Sequence, residues 1–522
     1  MANIEIDGEH LTLRQLYQCV FETARAELSL SVRAKMTASR SVIERLVSHP
    51  STPGSPGAAT YGVNTGFGKM ASTRISVNEI RHLQLNLLRS HACGVGAPLS
   101  EPETRAMLLL RANSLAKGFS GVRPILAEAL TEMLNCGVHP VIPSQGSVGA
   151  SGDLAPLAHL SLVLIGEGEA VLAGRRMSGA AAMQAAGIST LILEAKEGLA
   201  LLNGTQGMLA LLAVALREAE IAINTADVAA ALSLDALRGS PAAFDPRIAK
   251  VRPYAGHAAS ARNLERLVRG SEIRESHRSS AKDPRVQDAY SLRCAPQVHG
   301  AVRDALAAIR KIVEIEMNSA TDNPLVFVDD AGAAGGGEGE VISGGNFHGQ
   351  PLAMAADQMA IALATLGGIS ERRIEQMTNP QTSLLPAFLV REAGLNSGFM
   401  ILQVTAAALA SELKAEAAPR SVDSIPTSAN QEDYVSMGMA AARRLAPMLD
   451  NLLNILAIEL LSACQGIDFL APLKTGPEAQ EAYEIVRSIS ARLDADRSLA
   501  PDIEAVVRAI SSATFSALLG PS

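Results

Sequence analysis

Residues 351–368 read PLAMAADQMAIALATLGG, apolar on nearly every face a helix could present and interrupted only by Asp357 and Gln358. A helix without a polar face has to be enclosed, either by its own fold or between copies of the chain. Two further stretches keep the 3.6-residue period of an amphipathic helix: Val302, Leu306, Ile309, Val313 and Met317, then Leu449, Leu452, Leu453, Leu456 and Leu460. Sheet-built cores lean on aromatic and β-branched residues, whereas this chain is 3% aromatic, lacks Trp and spends its apolar content on Ala and Leu. These features predict a mainly α fold with a long central helical bundle that completes its burial by oligomerising.

Residues 198–216 are also free of charge, but Asn203-Gly204-Thr205-Gln206-Gly207 interrupts them, so a buried segment is expected there and no membrane span. A net charge of −8 argues against a general nucleic-acid binder. The five cysteines are scattered without CxxC spacing, and the ten histidines form no metal motif; reduced core thiols and no bound metal are expected. The acidic N-terminus has no apolar stretch of the kind a secretion signal needs, which points to a cytoplasmic protein.

The first hundred residues are short elements. Residues 3–6 read as a small strand turning at Asp7-Gly8, and Ser/Thr-x-x-Glu/Gln boxes mark helix starts at Thr12, Ser41, Ser76 and Ser100. A Pro/Gly/Ser-rich stretch, 50–68, ends in Tyr61-Gly62-Val63-Asn64-Thr65-Gly66-Phe67-Gly68, and a loop of that length is either disordered or functional, often a lid. The text is helical from residue 105 onward. The expected division is an N-terminal domain with the loop, 1–118, and a long-helix domain, 119–522. The Gly-rich run 331–340 has no following Lys-Ser/Thr and is flanked by acids, so it reads as a surface hairpin tip and not as a phosphate loop.

Gly149-Ala150-Ser151-Gly152-Asp153-Leu154 opens an apolar helix-like segment. One reading is a helix cap, with Ser151 or Asp153 satisfying the first free N–H groups. The other is a reactive tripeptide. The unshielded amide nitrogen of Gly152 can be bent onto the carbonyl of Ala150, and loss of water, including the Ser151 hydroxyl, then leaves a five-membered electrophilic ring. Other clusters also admit two readings. Tyr61 is a packing aromatic or a loop-borne reactive phenol. His91, where a helix over 80–90 meets glycines, is a dipole partner or a site residue. Asn203-Gly204 is a turn or a polar contact. Tyr290 and Arg293, three apart, share a helical face, with Arg293 forming an ion pair or a carboxylate clamp. Asn430-Gln431-Glu432-Asp433-Tyr434 is a solvated loop or part of a pocket.

Taken together, these blocks resemble the aromatic amino acid ammonia-lyase family, essentially end to end; Thr321-Asp322-Asn323-Pro324 and Gly345-Asn346-Phe347-His348-Gly349 are further matching blocks. The resemblance implies a mainly α fold of the fumarase/aspartase-like superfamily and a methylidene-imidazolone (MIO) group formed from Ala150-Ser151-Gly152 without an external cofactor. It also implies a homotetramer whose active sites draw on more than one subunit. It assigns Tyr61 as the base and Tyr290 as a support of the site near the ring-forming tripeptide. Arg293 would clamp the substrate carboxylate, Asn203 would contact the ring or the amine, and Phe347 would help keep the ring exposed. His91 and Glu432 would address the substrate side chain.

Within the family, Ser90-His91 and Gln431-Glu432-Asp433 are similar to the histidine branch. A carboxylate has a physical reason to face imidazole, because it accepts a ring N–H, whereas a phenyl ring would leave it buried and unpaired. The implied reaction is non-oxidative deamination of L-histidine to trans-urocanate and ammonia. Tyr434 stands where the histidine branch usually has His, which keeps a tyrosine or phenylalanine ammonia-lyase, or a 2,3-aminomutase, as the alternative.

Overall fold

The computed structural model describes residues 3–48, 60–279, 283, 285–328 and 339–520. The chain is mainly α, as its periodicity predicts. By packing it forms two compact units, each assembled from three separate segments. The first takes 1–214, 311–357 and 419–443, and the second takes 215–310, 358–418 and 444–522. The single boundary expected after residue 118 therefore differs from the division by packing.

All strands among the described residues belong to the first unit. Asn3–Ile6 pairs in parallel with Arg25–Leu28, Val95–Pro98 pairs with Pro143–Gln145, and Leu325–Val328 pairs with Gly339–Ile342. That last pair brackets the Gly-rich run, most of which lies outside the described residues, as do residues 50–59 of the Pro/Gly/Ser-rich stretch. A small core of this unit packs Val42 and Ile43, on helix Leu30–Ser48, with Val63, Ile80, Ala195 and Val326. Val63 is fully buried there, worth about 2 kcal/mol for a Val side chain. That packing anchors the glycine-flanked loop two residues after Tyr61.

Capping explains some helix starts and not others. Thr12 and Ser100 form complete capping boxes with Gln15 and Glu103. Ser41 does not start a helix: it lies within Leu30–Ser48, and its hydroxyl donates to the Thr37 carbonyl one turn back. The expected start at Ser76 is a short 3-10 turn, with helix Ile80–His91 following.

The second unit is helical. Its longest wholly contained helix, Leu445–Asp468, buries all five of the periodic leucines. The other periodic set is buried along helix Ala295–Met317. The apolar stretch 351–368 lies in helix Gln350–Thr378, buried except for a stripe that includes Met354 (61% exposed) and Ile361 (50% exposed). This helix and Gly438–Asp468 are long and apolar enough to cross a membrane by composition, yet 61% and 72% of their apolar windows are buried within the protein. Burial of that extent is what a core helix requires.

Candidate active site

The stretch before helix Leu154–Leu164 is folded tightly on itself. The Ser147 hydroxyl donates to the Gly152 carbonyl (3.4 Å) and to Asp153 Oδ1 (3.0 Å), while accepting from Gly149 N–H (3.1 Å). Gly152 has φ +73° and bridges to Gly204; a β-carbon on it would stand 2.1 Å from the Gly204 carbonyl oxygen. Only glycine tolerates both the left-handed backbone and that approach. Ala150 and Gly152 are buried, whereas Ser151 is half-buried and lines a cavity of about 330 Å³.

Asp153 does not cap the helix it precedes, as one sequence reading had it. Its backbone N–H donates to Gly204 O (2.7 Å), and its carboxylate accepts from Met208 N–H (2.7 Å) at the start of helix Gln206–Ala236. The N-termini of two helices thus meet beside the tripeptide, adding positive potential there. Burial pushes the Asp153 carboxyl up to about 6, although the donors from Met208, Ser147 and Gly207 oppose the rise.

The same cavity is lined by Tyr61, His91, Asn203 and Glu432, so five of the sequence-predicted residues come together in the first unit. Tyr61 sits edge-on to Phe67 at 6.1 Å, and its hydroxyl accepts from Gly68 N–H (3.4 Å). Gly62 (φ +74°) permits this, since a β-carbon there would stand 2.4 Å from a Leu199 methyl. Burial holds the Tyr61 phenol above its ordinary value.

His91 is the last residue of helix Ile80–His91, one beyond the expected end. Its Nδ1 lies 2.9 Å from the Leu87 carbonyl, which can only accept. The hydrogen therefore belongs on Nδ1, leaving Nε2 as an acceptor. Burial lowers the His91 value and favours this neutral form. Asn203 follows helix Glu197–Leu202 and is 2% exposed; its Oδ1 is buried without a partner among the described residues. A buried carbonyl oxygen left unpaired costs about 1–3 kcal/mol unless a ligand donor meets it.

Glu432 is carried by a turn that sequence reasoning missed. Thr427 and Glu432 pair through their backbones, and between them Ser428, Ala429 and Asn430 have φ of +51°, +53° and +63°. Three consecutive left-handed non-glycine residues store strain of about 1–2 kcal/mol each. The Thr427 hydroxyl donates to Glu432 Oε2 (2.7 Å), and Ser151 Oγ donates to Oε1 (3.1 Å). The only prior sign of this turn is its density of Ser, Asn and Thr.

The remaining predicted residues are not among those lining the cavity. Phe347 is half-buried in the turn closed by His348 N–H to Gly345 O (3.0 Å). Tyr434 is 60% exposed and stacks on His348, with ring centroids 6.2 Å apart. Tyr290 and Arg293 belong to the second unit, on the short helix Tyr290–Arg293. They share a face as their spacing predicts: the Arg293 guanidinium lies 4.6 Å from the Tyr290 ring centre, and Tyr290 is 70% exposed.

The arrangement unites a phenol, a neutral imidazole, an unpaired amide oxygen and a carboxylate around a hydroxyl on a bent Gly-flanked backbone. That set suits proton transfer and capture of an amine- and N–H-bearing ligand. The family model for aromatic amino acid lyase matches residues 11–488. The chain is 54% identical over 522 residues to a histidine ammonia-lyase of Koribacter versatilis (strain Ellin345), covering 99% of both chains. Among solved structures, histidine ammonia-lyase from Trypanosoma cruzi matches with a TM-score of 0.89 and 43% identity, covering 100% of this chain and 95% of that one. Tyrosine aminomutase from Streptomyces globisporus matches with a TM-score of 0.91 and 39% identity, covering 98% of each. A match of this length and identity, over a chain whose polar residues converge as described, establishes that the protein belongs to the aromatic amino acid lyase family.

Proposed function

We propose that the protein removes ammonia from L-histidine to give trans-urocanate, using an MIO group formed from Ala150-Ser151-Gly152. The observation that carries this reading is the convergence of Tyr61, His91, Ser151, Asn203 and Glu432 on one cavity, in a chain 54% identical to a histidine ammonia-lyase. The tripeptide fits the ring: Gly152 is pressed against Gly204 with no room for a side chain, Ala150 is buried, and the Ser151 side chain faces the cavity. Once formed, the ring supplies an electrophile that assists departure of the substrate's ammonium.

The chain's own residues do the rest. Asn203 Oδ1, otherwise unpaired, accepts from the substrate amine. His91 Nε2 and Glu432 offer acceptors to imidazole N–H groups, which an aromatic hydrocarbon ring cannot satisfy. Tyr61, as its phenolate, takes the β-proton; the C–N bonding pair leaves with ammonia and the C–H pair becomes the new double bond. Tyr290 and Arg293 come to the site from a neighbouring copy, Arg293 binding the substrate carboxylate through its planar fork. Phe347 helps keep the ring exposed, as the family resemblance implies. The exposed apolar stripe of helix Gln350–Thr378 and exposed Ile401 and Val404 of helix Met400–Glu416 are in keeping with a homotetramer. Five unpaired cysteines are in keeping with a reducing cytoplasm.

The test is a product assay on the full chain with L-histidine, L-tyrosine and L-phenylalanine. Urocanate with ammonia, from histidine alone, is the expected result. A cinnamate-type product or a β-amino acid would instead establish the tyrosine or phenylalanine lyase, or the aminomutase. Ser151→Ala is expected to lower kcat by at least roughly a thousandfold. It should leave the chain folded, since in the unreacted chain the Ser151 hydroxyl, itself lost when the ring forms, bonds only Glu432 among the described residues.

A further inference from the structure

Beneath the cavity, helix Glu101–Ala116 carries a fully buried guanidinium, Arg111, in an otherwise apolar run from Met107 to Ala112. Among the described residues it has no carboxylate within ion-pair distance. The nearest acid acting on it, Asp322, is engaged at 2.6 Å by the equally buried Lys196. Arg111 spends its donors on neutral acceptors instead. One terminal nitrogen donates to the Asn203 carbonyl (3.0 Å), and the other donates to Gln206 Oε1 (2.6 Å). The Gln206 amide in turn donates to the Thr321 hydroxyl (2.8 Å).

Burying an arginine without an ion-pair partner is expensive: burial pulls this one down to about 10, although the Asp322 charge opposes the fall. A helix needs no such residue for its own packing. What the cost sustains is the placement of four residues, 203–206. Their side chains bring Asn203 to the cavity lining, and their backbone presents the Gly204 carbonyl, against which Gly152 and Asp153 N–H are seated. The approach is close from both sides: a β-carbon on Gly204 would stand 2.5 Å from the Arg111 guanidinium and 2.4 Å from Gln206 Oε1. Arg111, Gly204 and Gly152 therefore lie in succession, with no room for a side chain on either glycine.

We propose that Arg111 is a positioning residue for the reaction: its guanidinium fork fixes the 203–206 loop, and through it both the Asn203 amide and the closely approached backbone of Gly152. This rests on the ammonia-lyase reading. Arg111 touches neither the cavity nor the tripeptide; it acts through the loop. A shift of that loop by about 1 Å would relax the press on Gly152 and turn the amide oxygen from the amine, a displacement worth roughly a hundredfold in rate.

Arg111→Lys keeps a buried cation but cannot serve two acceptors in a planar fork. On the full chain, three quantities are measured: intact mass, which counts the two waters lost when the ring forms; thermal midpoint; and kcat and KM with L-histidine, per matured chain. In Arg111→Lys, water loss is expected to be incomplete. Its kcat is expected to fall roughly a hundredfold, with KM moved less than about threefold, in a folded protein. Complete water loss together with kcat within about twofold of the native chain overturns the proposal. If Arg111→Lys does not fold, Gln206→Met decides. It removes one anchor while leaving Arg111 on the Asn203 carbonyl, and full water loss with native kcat in that variant overturns the proposal equally. The mass measurement needs no substrate. A native chain that loses both waters yet releases no urocanate would defeat the histidine assignment while leaving the role of Arg111 tested.

Discussion

Gly152 and Gly204, fifty-two positions apart in the chain, lie so close that a β-carbon on the first would stand 2.1 Å from the carbonyl oxygen of the second. Backbone meets backbone here, and neither neighbour can yield as a flexible side chain would. Gly152→Ala must also hold φ +73°. The variant is expected to lose about 3 kcal/mol of stability by urea titration and to retain both waters of the tripeptide by intact mass. An alanine variant that matures normally would refute the compressed-loop account.

Tyr61→Phe keeps the edge contact with Phe67 and removes only the hydroxyl that accepts from Gly68 N–H. A lost proton-transfer group predicts a fall in kcat of roughly a thousandfold, with the thermal midpoint nearly unchanged. Because burial holds the phenol above its ordinary value, its deprotonated form grows only on the alkaline side. Native kcat should therefore climb with pH in that range, and the phenylalanine variant should lose the limb. A flat native profile would argue for another base.

Glu432 is held by Thr427 and faces the cavity beside Ser151. Glu432→Gln preserves shape and removes the charge. A charge-assisted hydrogen bond contributes about 1.5–3 kcal/mol, so kcat/KM for L-histidine should fall roughly ten- to a hundredfold. Ring formation, read by mass, should persist. Should kcat/KM stay within about twofold of native, the carboxylate has no part in holding imidazole.

Asp235, in the second unit, accepts from the hydroxyls of Ser271 and Thr475, and burial pushes its carboxyl up to about 6. A folded value above the unfolded one means that the native state holds the extra proton between them. Its contribution to stability is whole below about pH 4 and is lost as pH rises through about 6. The rise from 3.8 to about 6 corresponds to about 3 kcal/mol. Asp235→Asn cannot ionise; one hydroxyl keeps donating to its amide oxygen, and the other can reorient to accept from its amide nitrogen. Relative to the native chain, the variant should gain about 2–3 kcal/mol between pH 4 and 7 in urea midpoints. A difference independent of pH would contradict this.

Local signals were legible where a residue acts on its own neighbours. Thr12 and Ser100 cap the helices they precede, because a side chain three residues from its partner needs no tertiary help. Ser41 carries the same signal and fails, since the helix had already begun at Leu30 and its hydroxyl found a carbonyl one turn back. Asp153 was legible as a cap, but it serves the helix starting at Gln206, which packing brings to it. Tyr434 illustrates the same limit: it adjoins Glu432 in sequence, yet its ring stacks on His348 rather than lining the cavity. Arg111 left only a faint trace, a lone charge in an apolar run, and its partners were unreadable.

The sequence by itself determined the mainly α architecture, because hydrophobic period and Ala/Leu content act over a few turns. It also determined the chemical capacity of Ala150-Ser151-Gly152, which is written in covalent order. Only the tertiary structure decided that Asp153 does not cap the helix it precedes, and which polar groups surround the tripeptide. Ser151 and Glu432 touch across 281 residues, and nothing in either neighbourhood encodes that meeting. Contacts of that separation are set by how helices bury their apolar faces. The succession of Arg111, Gly204 and Gly152 is likewise a property of the packed interior and of no segment alone.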